Sequence, residues 1–262
     1  MKSGLKKRLF ERARCTRHNL LHLKVFRLSY DGELWHVRDG NVDLRFPFYP
    51  WLTFYEIEGY LAQGRWRLEP GMNVVDAGGC FGEFALYAAK RVAPGRVLML
   101  EPDQANIARA QEYFACNGGQ PPNLEIIPLG LWNKRDTLRF SSGRDGASSI
   151  VDTDSRTPPA PGAEVEIKVC SLEDVVRDFG LTRLDFVKMD IEGAEMEAVA
   201  GAGEVMRRFK PRFSIAAYHL REKVMTSEML PKVFESFGYR ATTGFYFHRT
   251  TYAASEFAGL PI

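Results

Sequence analysis

The sequence predicts an α/β fold in which helices cover both faces of a parallel sheet and the chain ends in an antiparallel hairpin. Three observations lead to this fold class. From residue 72 onward, short apolar runs alternate with stretches of helical periodicity. A glycine-rich turn follows the first apolar run and opens the first helix of that series. The final stretch, residues 239–255, has the pattern of two β segments around Gly244.

The first 69 residues form a predicted N-terminal extension, distinct from the domain that we predict for residues 70–262. Residues 1–24 contain eight basic side chains and one acidic side chain, a net charge of +7. We interpret this stretch as a solvated basic helix; a peripheral contact with an anionic membrane surface, or with an acidic partner, is the alternative. The charge pattern therefore predicts a helix and leaves its role open.

A small antiparallel meander is predicted next, over residues 25–46. Asp31-Gly32 and Asp39-Gly40 interrupt its short alternating runs, and Asp-Gly pairs supply the positive φ angles that tight hairpins need. The stretch 52–64 then has the pattern of a helix that ends near Gly64. The extension is thus predicted to contain a helix, a meander and a second helix.

The domain at residues 70–262 repeats the order strand, turn, helix. Five apolar runs predict its core strands: residues 72–78, 96–102, 123–131, 184–190 and 212–220. Four periodic stretches predict its helices: residues 83–92, 104–117, 171–180 and 193–209. Ser171 and Asp174 have capping-box spacing, and Gly180 is the expected stop of the third helix. Residues 145–165 contain three prolines and no periodicity, which predicts a long loop.

Composition and charge exclude several classes of protein. With 45% hydrophobic residues, the chain of 262 residues is not mainly disordered. Its formal net charge of +2 does not suggest a polyanion binder as a whole. No apolar run approaches the roughly 20 residues that span a bilayer, and the start lacks the uninterrupted apolar core of a signal peptide. The four cysteines lie far apart without a Cys-x-x-Cys pair, which argues against a zinc site or a disulfide scaffold. We therefore expect a cytoplasmic protein.

The glycine-rich turn is the sharpest local signal in the chain. It reads VVDAGGCFGE over residues 74–83 and stands between a strand and a helix, the setting of a cofactor loop. Glycine lets the backbone approach a ligand closely, and free N–H groups at a helix start favour an anion. Position 80 is a cysteine, so the G-x-G-x-x-G fingerprint is incomplete, and no G-K-[ST] follows. The loop is therefore not expected to hold a pyrophosphate or a triphosphate.

Two acids complete a site for an adenosine-type ligand. Asp76 starts the loop, and Glu101 ends the next strand, 19 residues beyond Gly82. A carboxylate at the position of Glu101 can accept hydrogen bonds from two ribose hydroxyls. S-adenosyl-L-methionine matches this site because its tail carboxylate can use the loop amides, while its amine and sulfonium tolerate nearby acids.

Several motifs in this order resemble the FkbM-type S-adenosylmethionine-dependent methyltransferases. They are VVDAGGCFGEFALYAA, VLMLEP, SLEDV, LDFVKMDIEGAEMEAVAGA and IAAYHL, of which KMDIEGAE is the most specific. The resemblance implies a class I methyltransferase (Rossmann-like) fold, with a seven-stranded, mostly parallel sheet and a reversed terminal strand. It also implies O-methylation of a hydroxyl on a sugar, glycan or secondary metabolite, with S-adenosyl-L-methionine as co-substrate. Cys80 departs from the asparagine that the family often has there.

The resemblance also implies which residues bind the cofactor. They are Asp76, Gly78, Gly82, Glu83, Glu101 and Asn106, with Ser148 and Ser149 if the late loop folds over the site. Asn106 and Asn117 could equally cap a helix or a turn.

The catalytic candidates gather at the carboxyl end of the fourth and fifth core strands, the edge at which open α/β sheets bind ligands. They are Lys188, Asp190, Glu192 and His219. A base is needed to remove the proton of an acceptor hydroxyl; Asp190 and His219 are both candidates, and His219 has the ordinary pKa better matched to neutrality. A structural role is the alternative for His219, and Glu195 suits a helix N-terminus. Asp190, Glu192 and His219 are also metal-ligand types, but their spacing is not diagnostic, and a divalent metal is not favoured.

Two other functions stay open beside that of an O-methyltransferase. An RNA methyltransferase would use the basic leader, but the chain outside residues 1–24 carries −5, so nucleic acid is not favoured over a small-molecule or glycan hydroxyl. A non-catalytic scaffold would explain Cys80. Five aromatic residues could stack on a sugar or belong to the core: Trp35, Trp51, Phe245, Tyr246 and Phe247. The oligomeric state is not indicated.

Overall fold

The computed structural model describes residues 2–21, 26–141, 149–150, 164–221 and 223–256. Its helices are α1 (Lys2–Leu21), α2 (Trp51–Tyr60), α3 (Glu83–Val92), α4 (Gln104–Cys116), α5 (Leu172–Asp178), α6 (Glu195–Ala200), α7 (Gly203–Phe209) and α8 (Thr226–Ser236). Its first eight strands are β1 (Arg27–Tyr30), β2 (Trp35–Asp39), β3 (Val42–Phe46), β4 (Val74–Ala77), β5 (Val97–Leu100), β6 (Leu124–Ile127), β7 (Gly130–Leu131) and β8 (Asp136–Ser141). Its other strands are β9 (Ser149–Ile150), β10 (Glu164–Cys170), β11 (Phe186–Met189), β12 (Arg212–Ala216), β13 (Leu220–Arg221), β14 (Val224–Met225), β15 (Arg240–Phe245) and β16 (Arg249–Ala254).

A seven-stranded sheet organises the domain, in the order β15-β16-β12-β11-β4-β5-β6. The five strands from β12 to β6 run parallel. The last strand, β16, lies antiparallel between β12 and β15. This is the class I methyltransferase arrangement with its reversed terminal strand, so the predicted fold class is confirmed.

The central strands separate two hydrophobic cores. All four residues of β4, β5 and β11 are buried, because helices cover both faces of the sheet. Side chains alternate between the faces, so Val74 and Val75 are neighbours in β4 yet belong to different cores. The first core includes α2, α3 and the meander, and the second includes α5 to α8. The buried sheet thus holds the carboxyl ends of its strands in fixed positions.

The predicted N-terminal elements are present. The helix α1 spans most of the basic stretch, and β1, β2 and β3 form the expected antiparallel meander. Val37, Leu44 and Phe46 of the meander share one core with Phe84 and Leu86 of α3. Among the described residues, no helix is long and apolar enough to cross a membrane.

Two predictions of secondary structure were wrong in part. The helix expected over 193–209 is two helices, because the chain is interrupted at Gly201, where an added Cβ would lie 2.4 Å from the Cα of Asn133. The terminal hairpin does not turn at Gly244, which pairs with Thr250 inside the ladder. Its turn lies at residues 246–248.

The predicted loop at 145–165 lies largely outside the described residues, but the parts of it that are described, residues 149–150 and 164–165, belong to strands. Ser149 and Ile150 pair with β8, and β10 begins at Glu164. Together β7, β10, β8 and β9 form a four-stranded sheet that the sequence analysis did not predict. The alternation of polar and apolar residues in EVEIKVC is the period-two signal of this sheet.

Candidate active site

A cavity of about 350 Å³ opens at the carboxyl edge of the parallel strands. The loop after β4, the end of β5, the end of β11 and the helix α2 form its walls. Seven predicted site residues line it: Gly78, Glu83, Glu101, Asn106, Lys188, Asp190 and Glu192. This volume lies in the usual range of small-molecule sites. This cavity therefore lies at the sheet edge that the strand-end rule indicated.

The glycines of the loop are required by close contacts. Gly78 has φ +72°, and an added Cβ would lie 1.7 Å from the carbonyl oxygen of Asp190. Gly82 has φ +79°, and a Cβ added to it would lie 2.6 Å from the ring of Phe114. Any larger residue at Gly78 would push the loop away from the end of β11. The glycines thus bring the two chain segments together.

The loop uses its own amides to hold its shape. The amides of Gly78 and Gly79 both donate to the carbonyl of Leu100 at 3.0 Å. The amide of Gly82 donates to the carbonyl of Gly79 at 2.8 Å. We expected these amides to be available to a ligand carboxylate, and this prediction was wrong for the three glycines. A carboxylate would have to use other donors, such as those at the start of α3.

Two titratable residues of the loop have raised pKa values. Cys80 has φ +47°, a conformation that asparagine adopts more readily than cysteine. Burial, with Glu83 and Glu101 nearby, raises the pKa of its thiol to about 12, so Cys80 stays protonated. Burial raises the pKa of Glu83 to about 7, so this half-buried acid carries only part of a charge at neutrality. Neither residue is a nucleophile or a fixed anion here.

Glu101 is held by three donors. Its Oε2 accepts from the amide of Cys80 at 2.8 Å, and its Oε1 accepts from the amide of Asp103 at 3.0 Å and from Asn106 Nδ2 at 3.2 Å. The pKa of Glu101 is raised because burial outweighs these hydrogen bonds. A carboxylate offers about four acceptor positions, which leaves Glu101 about one more. Asn106 therefore orients Glu101, while Asp103 caps α4.

Asp76 and Lys188 form a buried ion pair beneath the loop. Lys188 Nζ lies 3.1 Å from Asp76 Oδ1 and donates to the carbonyl of Gly78 at 2.7 Å. Burial alone would lower the pKa of Lys188, but Asp76 and Asp190 raise it above its ordinary value, so the amine stays charged. Burial raises the pKa of Asp76, against the effect of Lys188. Lys188 therefore ties the glycine loop to β11 and is no base.

Three acids surround His219 at the other end of the cavity. We call Asp190, Glu192, Glu195 and His219 the histidine–carboxylate cluster. His219 Nε2 lies 3.3 Å from Glu192 Oε2 and 3.7 Å from Asp190 Oδ1. His219 Nδ1 lies 2.9 Å from Glu195 Oε1, which also accepts from the amides of residues 191 and 193. Glu192 reaches the cluster because it has φ +53° and Gly193 has φ +101°.

The cluster changes the charge expected for His219. Burial alone would lower its pKa, but Glu195, Glu192 and Asp190 together outweigh burial and raise the pKa to about 11. His219 is therefore an imidazolium at neutral pH and has no lone pair for a proton. The expectation that its pKa is matched to neutrality was wrong, because residues from the next turn and helix face it. Burial also raises the pKa of Glu192.

Three residues of the site were missed by sequence reasoning. Tyr60 donates to Asp190 Oδ2 at 2.8 Å and to Glu56 Oε1 at 3.4 Å. The ring of His248 lies 5.2 Å from that of Tyr60, and its Nε2 lies 3.7 Å from Glu56 Oε1. Glu56 and Tyr60 are four residues apart on α2, a spacing that could have indicated a shared face. His248 lies in the hairpin turn and gave no such signal.

The other predicted residues lie elsewhere. Asn117 bonds to the backbone of Arg45 through its amide group, away from the cavity. Ser148 lies outside the described residues, and Ser149 lies in β9. Of the five aromatics, Trp35 is buried in the first core, whereas Phe245 is exposed. These positions offer no described contact with the cavity.

Comparisons with known proteins identify relatives of this chain. The model of one protein family, the methyltransferase FkbM domain, matches residues 76–241. Methyltransferase sdnD of Sordaria araneosa is 27% identical over 159 residues, which cover 50% of this chain and 60% of that protein. Methyltransferase 1 of Beauveria bassiana is 27% identical over 142 residues, which cover 49% of this chain and 57% of that protein.

A solved structure shares the fold. The methyltransferase FkbM of Methylobacillus flagellatus KT aligns with a TM-score of 0.53 at 19% identity, covering 78% of this chain and 50% of that chain. The present chain therefore matches no more than 60% of the length of these three proteins. At 19% identity the structural likeness concerns the fold alone.

Proposed function

This chain belongs to the FkbM methyltransferase family, and from that premise we propose that it is an S-adenosylmethionine-dependent O-methyltransferase. Its acceptor would be a hydroxyl of a sugar, glycan or secondary metabolite. The observation that carries the proposal is that one cavity at the sheet edge has Glu101 and the glycine loop at one end and Asp190 at the other. A cofactor and an acceptor could meet there, as methyl transfer requires.

The chemistry of the cavity suits S-adenosyl-L-methionine. Among the described residues that line it, five are carboxylic acids and one, Lys188, is a cation. An amine and a sulfonium fit such a lining, whereas a phosphate backbone would be repelled by it. Glu101 retains acceptor capacity for a ribose hydroxyl. When bound, the cofactor supplies an electrophilic methyl group. The same acidic lining favours a neutral small-molecule or glycan acceptor over RNA.

Asp190 is the residue that we assign to the acceptor hydroxyl. Tyr60 holds its Oδ2, while its Oδ1 is buried and makes no hydrogen bond with another described residue. A carboxylate at hydrogen-bond distance can orient the hydroxyl and accept its proton. His219, being a cation, would instead position Asp190 and Glu192. Holding the acceptor oxygen in line with the methyl carbon supplies much of the rate.

Titration calorimetry with S-adenosylhomocysteine tests the cofactor. The variant Glu101→Gln replaces the charged carboxylate with a neutral amide of nearly the same size. We expect affinity to fall roughly 10- to 100-fold, since a hydrogen bond to a charged group contributes about 1.5–3 kcal/mol. Glu125→Gln, an exposed acid paired with Arg96, is the matched control and should bind like the wild type. Equal affinity in both variants would refute the ribose assignment.

The O-directed chemistry needs its own test. Purified protein with cofactor carrying a ¹³C-labelled methyl group should be incubated with a panel of hydroxylated acceptors. The proposal expects a methoxy carbon in the ¹³C spectrum of the product. A product methylated on nitrogen or carbon would overturn O-methylation while leaving the cofactor assignment intact.

A further inference from the structure

The histidine–carboxylate cluster has the groups of a metal site beside the acceptor end of the cavity. We propose that Asp190, Glu192 and His219 bind a divalent cation. One ligand atom from each residue lies within 4.8 Å of the other two. They come from the end of β11, the turn after it and the segment after β12. The binding site stands on these contacts alone, and only its role in catalysis rests on the proposed function.

His219 supplies an observation independent of the acidic residues. Its side chain is 9% exposed, and neither ring nitrogen makes a hydrogen bond of good geometry with the rest of the described chain. The Nε2 atom nevertheless lies 3.7 Å from Asp190 Oδ1 and 3.3 Å from Glu192 Oε2. Asp190 Oδ1 is likewise buried and without a donor among the described residues. Buried polar atoms normally have partners. A divalent cation would displace the Nε2 proton of His219, take its place beside the carboxylates, and be a partner for all three side chains.

Glu195 completes the arrangement that metal-binding histidines usually have. Such a histidine turns its second ring nitrogen toward a carboxylate or a carbonyl, which fixes its orientation. His219 Nδ1 lies 2.9 Å from Glu195 Oε1, and that oxygen is itself held by two backbone amides. With Nδ1 beside Glu195, Nε2 is the ring nitrogen that remains for the cation. Glu195 is fully buried and acts as a positioning residue.

The types of ligand atom indicate which divalent ion, and which kind of methyl acceptor, would bind at this site. Two carboxylates and one imidazole suit Mn²⁺ or a similar divalent ion of mixed preference. Asp190 and Glu192 line the cavity, so the remaining coordination positions face it. A hydroxyl that has a neighbouring oxygen, as in a vicinal diol, could fill them. A divalent ion lowers the pKa of a bound oxygen ligand. Asp190 would then hold the ion through Oδ1, and the proton of the acceptor hydroxyl, made more acidic by the ion, would pass to water in the cavity.

A second group of possible ligands shares Asp190 but is built less well. It comprises Glu56, Asp190 and His248. The Glu56 side chain is 38% exposed and accepts from Tyr60. The second ring nitrogen of His248 lies 3.1 Å from Thr250 Oγ1 and 3.3 Å from the carbonyl of Arg249, so a carbonyl, and no buried carboxylate, would orient that ring. The structure therefore assigns the ion to the side of His219.

Mn²⁺ binding to the full chain tests the inference without any cofactor or acceptor. The protein is stripped with EDTA and dialysed, and free Mn²⁺ is counted by its electron paramagnetic resonance signal. We expect one saturable site per chain. Glu192→Gln and His219→Gln should each weaken it at least about 10-fold, as loss of even an orienting partner does in metal sites. Glu58→Gln changes another half-buried glutamate, one outside the cavity, and should retain wild-type affinity.

The outcomes separate this inference from the proposed function. Absence of saturable Mn²⁺ binding by the folded wild type overturns it. The inference is also overturned if Glu56→Gln or His248→Gln loses Mn²⁺ binding while Glu192→Gln retains it. Circular dichroism checks the fold of each variant. If His219→Gln does not fold, Glu192→Gln alone tests the cation site. If the protein binds Mn²⁺ but not S-adenosylhomocysteine, the cation site stands and the cofactor assignment is refuted. If it binds S-adenosylhomocysteine but not Mn²⁺, the cofactor assignment stands and the cation site is refuted.

Discussion

The two ends of the cavity are built in different ways. At the cofactor end, Glu101 takes its hydrogen bonds from Cys80, Asp103 and Asn106, all within 21 residues along the chain. At the acceptor end, the groups that face Asp190 come from α2, from the turn after β11 and from the segment after β12. The first end is closed by local contacts, whereas the second retains buried polar atoms without hydrogen bonds among the described residues. The difference suggests a preformed cofactor site beside an acceptor site that its ligand completes.

Lys188 and Gly78 join the two ends. Lys188 holds the carbonyl of Gly78, and the Cα of Gly78 packs against the carbonyl of Asp190. A change in one of these contacts should affect both ends, whereas a change in a side chain of one end should not.

Asp190→Asn should have the largest effect, and only at the acceptor end. The amide keeps an oxygen for Tyr60 but cannot take a proton, so we expect turnover to fall about 10²- to 10⁴-fold. Steady-state kinetics measures turnover, which depends on the acceptor end, and calorimetry with S-adenosylhomocysteine measures cofactor affinity, which depends on the cofactor end. If cofactor affinity fell together with turnover, the ends would not be independent.

Lys188→Met should affect both ends through stability. It leaves Asp76 buried without its cation, which costs about 3–5 kcal/mol in buried pairs of this kind. Urea unfolding should show this loss, and the double variant Asp76→Asn with Lys188→Met should recover part of it. If the single and double variants were equally destabilised, the ion pair would not be the cause.

Gly78→Ala and Gly180→Ala form a matched pair, since both glycines have positive φ. The left-handed conformation costs about 1–2 kcal/mol for alanine at either position. Gly180 has open space around it, whereas Gly78 adds the overlap with Asp190, about 1–3 kcal/mol more. Both variants should lose stability in urea, but we expect only Gly78→Ala to lose cofactor affinity. Equal cofactor affinity in the two variants would refute the packing argument for Gly78.

Glu58→Gln should have the smallest effect, because Glu58 is not among the residues that line the cavity. Burial, with Asp39 nearby, raises the pKa of Glu58 from 4.5 to about 7. The folded protein therefore binds a proton more tightly than the unfolded chain, so Glu58 makes stability fall as pH rises from 4.5 to 7. The variant should match the wild type near pH 4 and be the more stable above pH 7. Thermal unfolding at both values checks this, and a difference that does not grow with pH would contradict it.

Much of the fold follows from local sequence patterns. The helix over 83–92 has the predicted bounds, and the capping box of Ser171 and Asp174 is present. Local patterns failed where packing decided the outcome. The helix over 193–209 is interrupted at Gly201 by the approach of Asn133, and α8, which was not predicted, packs on β15 and β16.

The sequence by itself determined the alternation of parallel strands with α3, α4 and α5, the glycine loop and the position of Glu101 after β5. These features depend on periodicity, backbone conformation and hydrogen bonds between near neighbours, which a short stretch of chain encodes. Only the tertiary structure decided the charge of His219 and the partners of Asp190. A pKa depends on burial and on charges a few ångströms away, and those charges belong to Glu192, Glu195 and other segments that meet His219 only after folding.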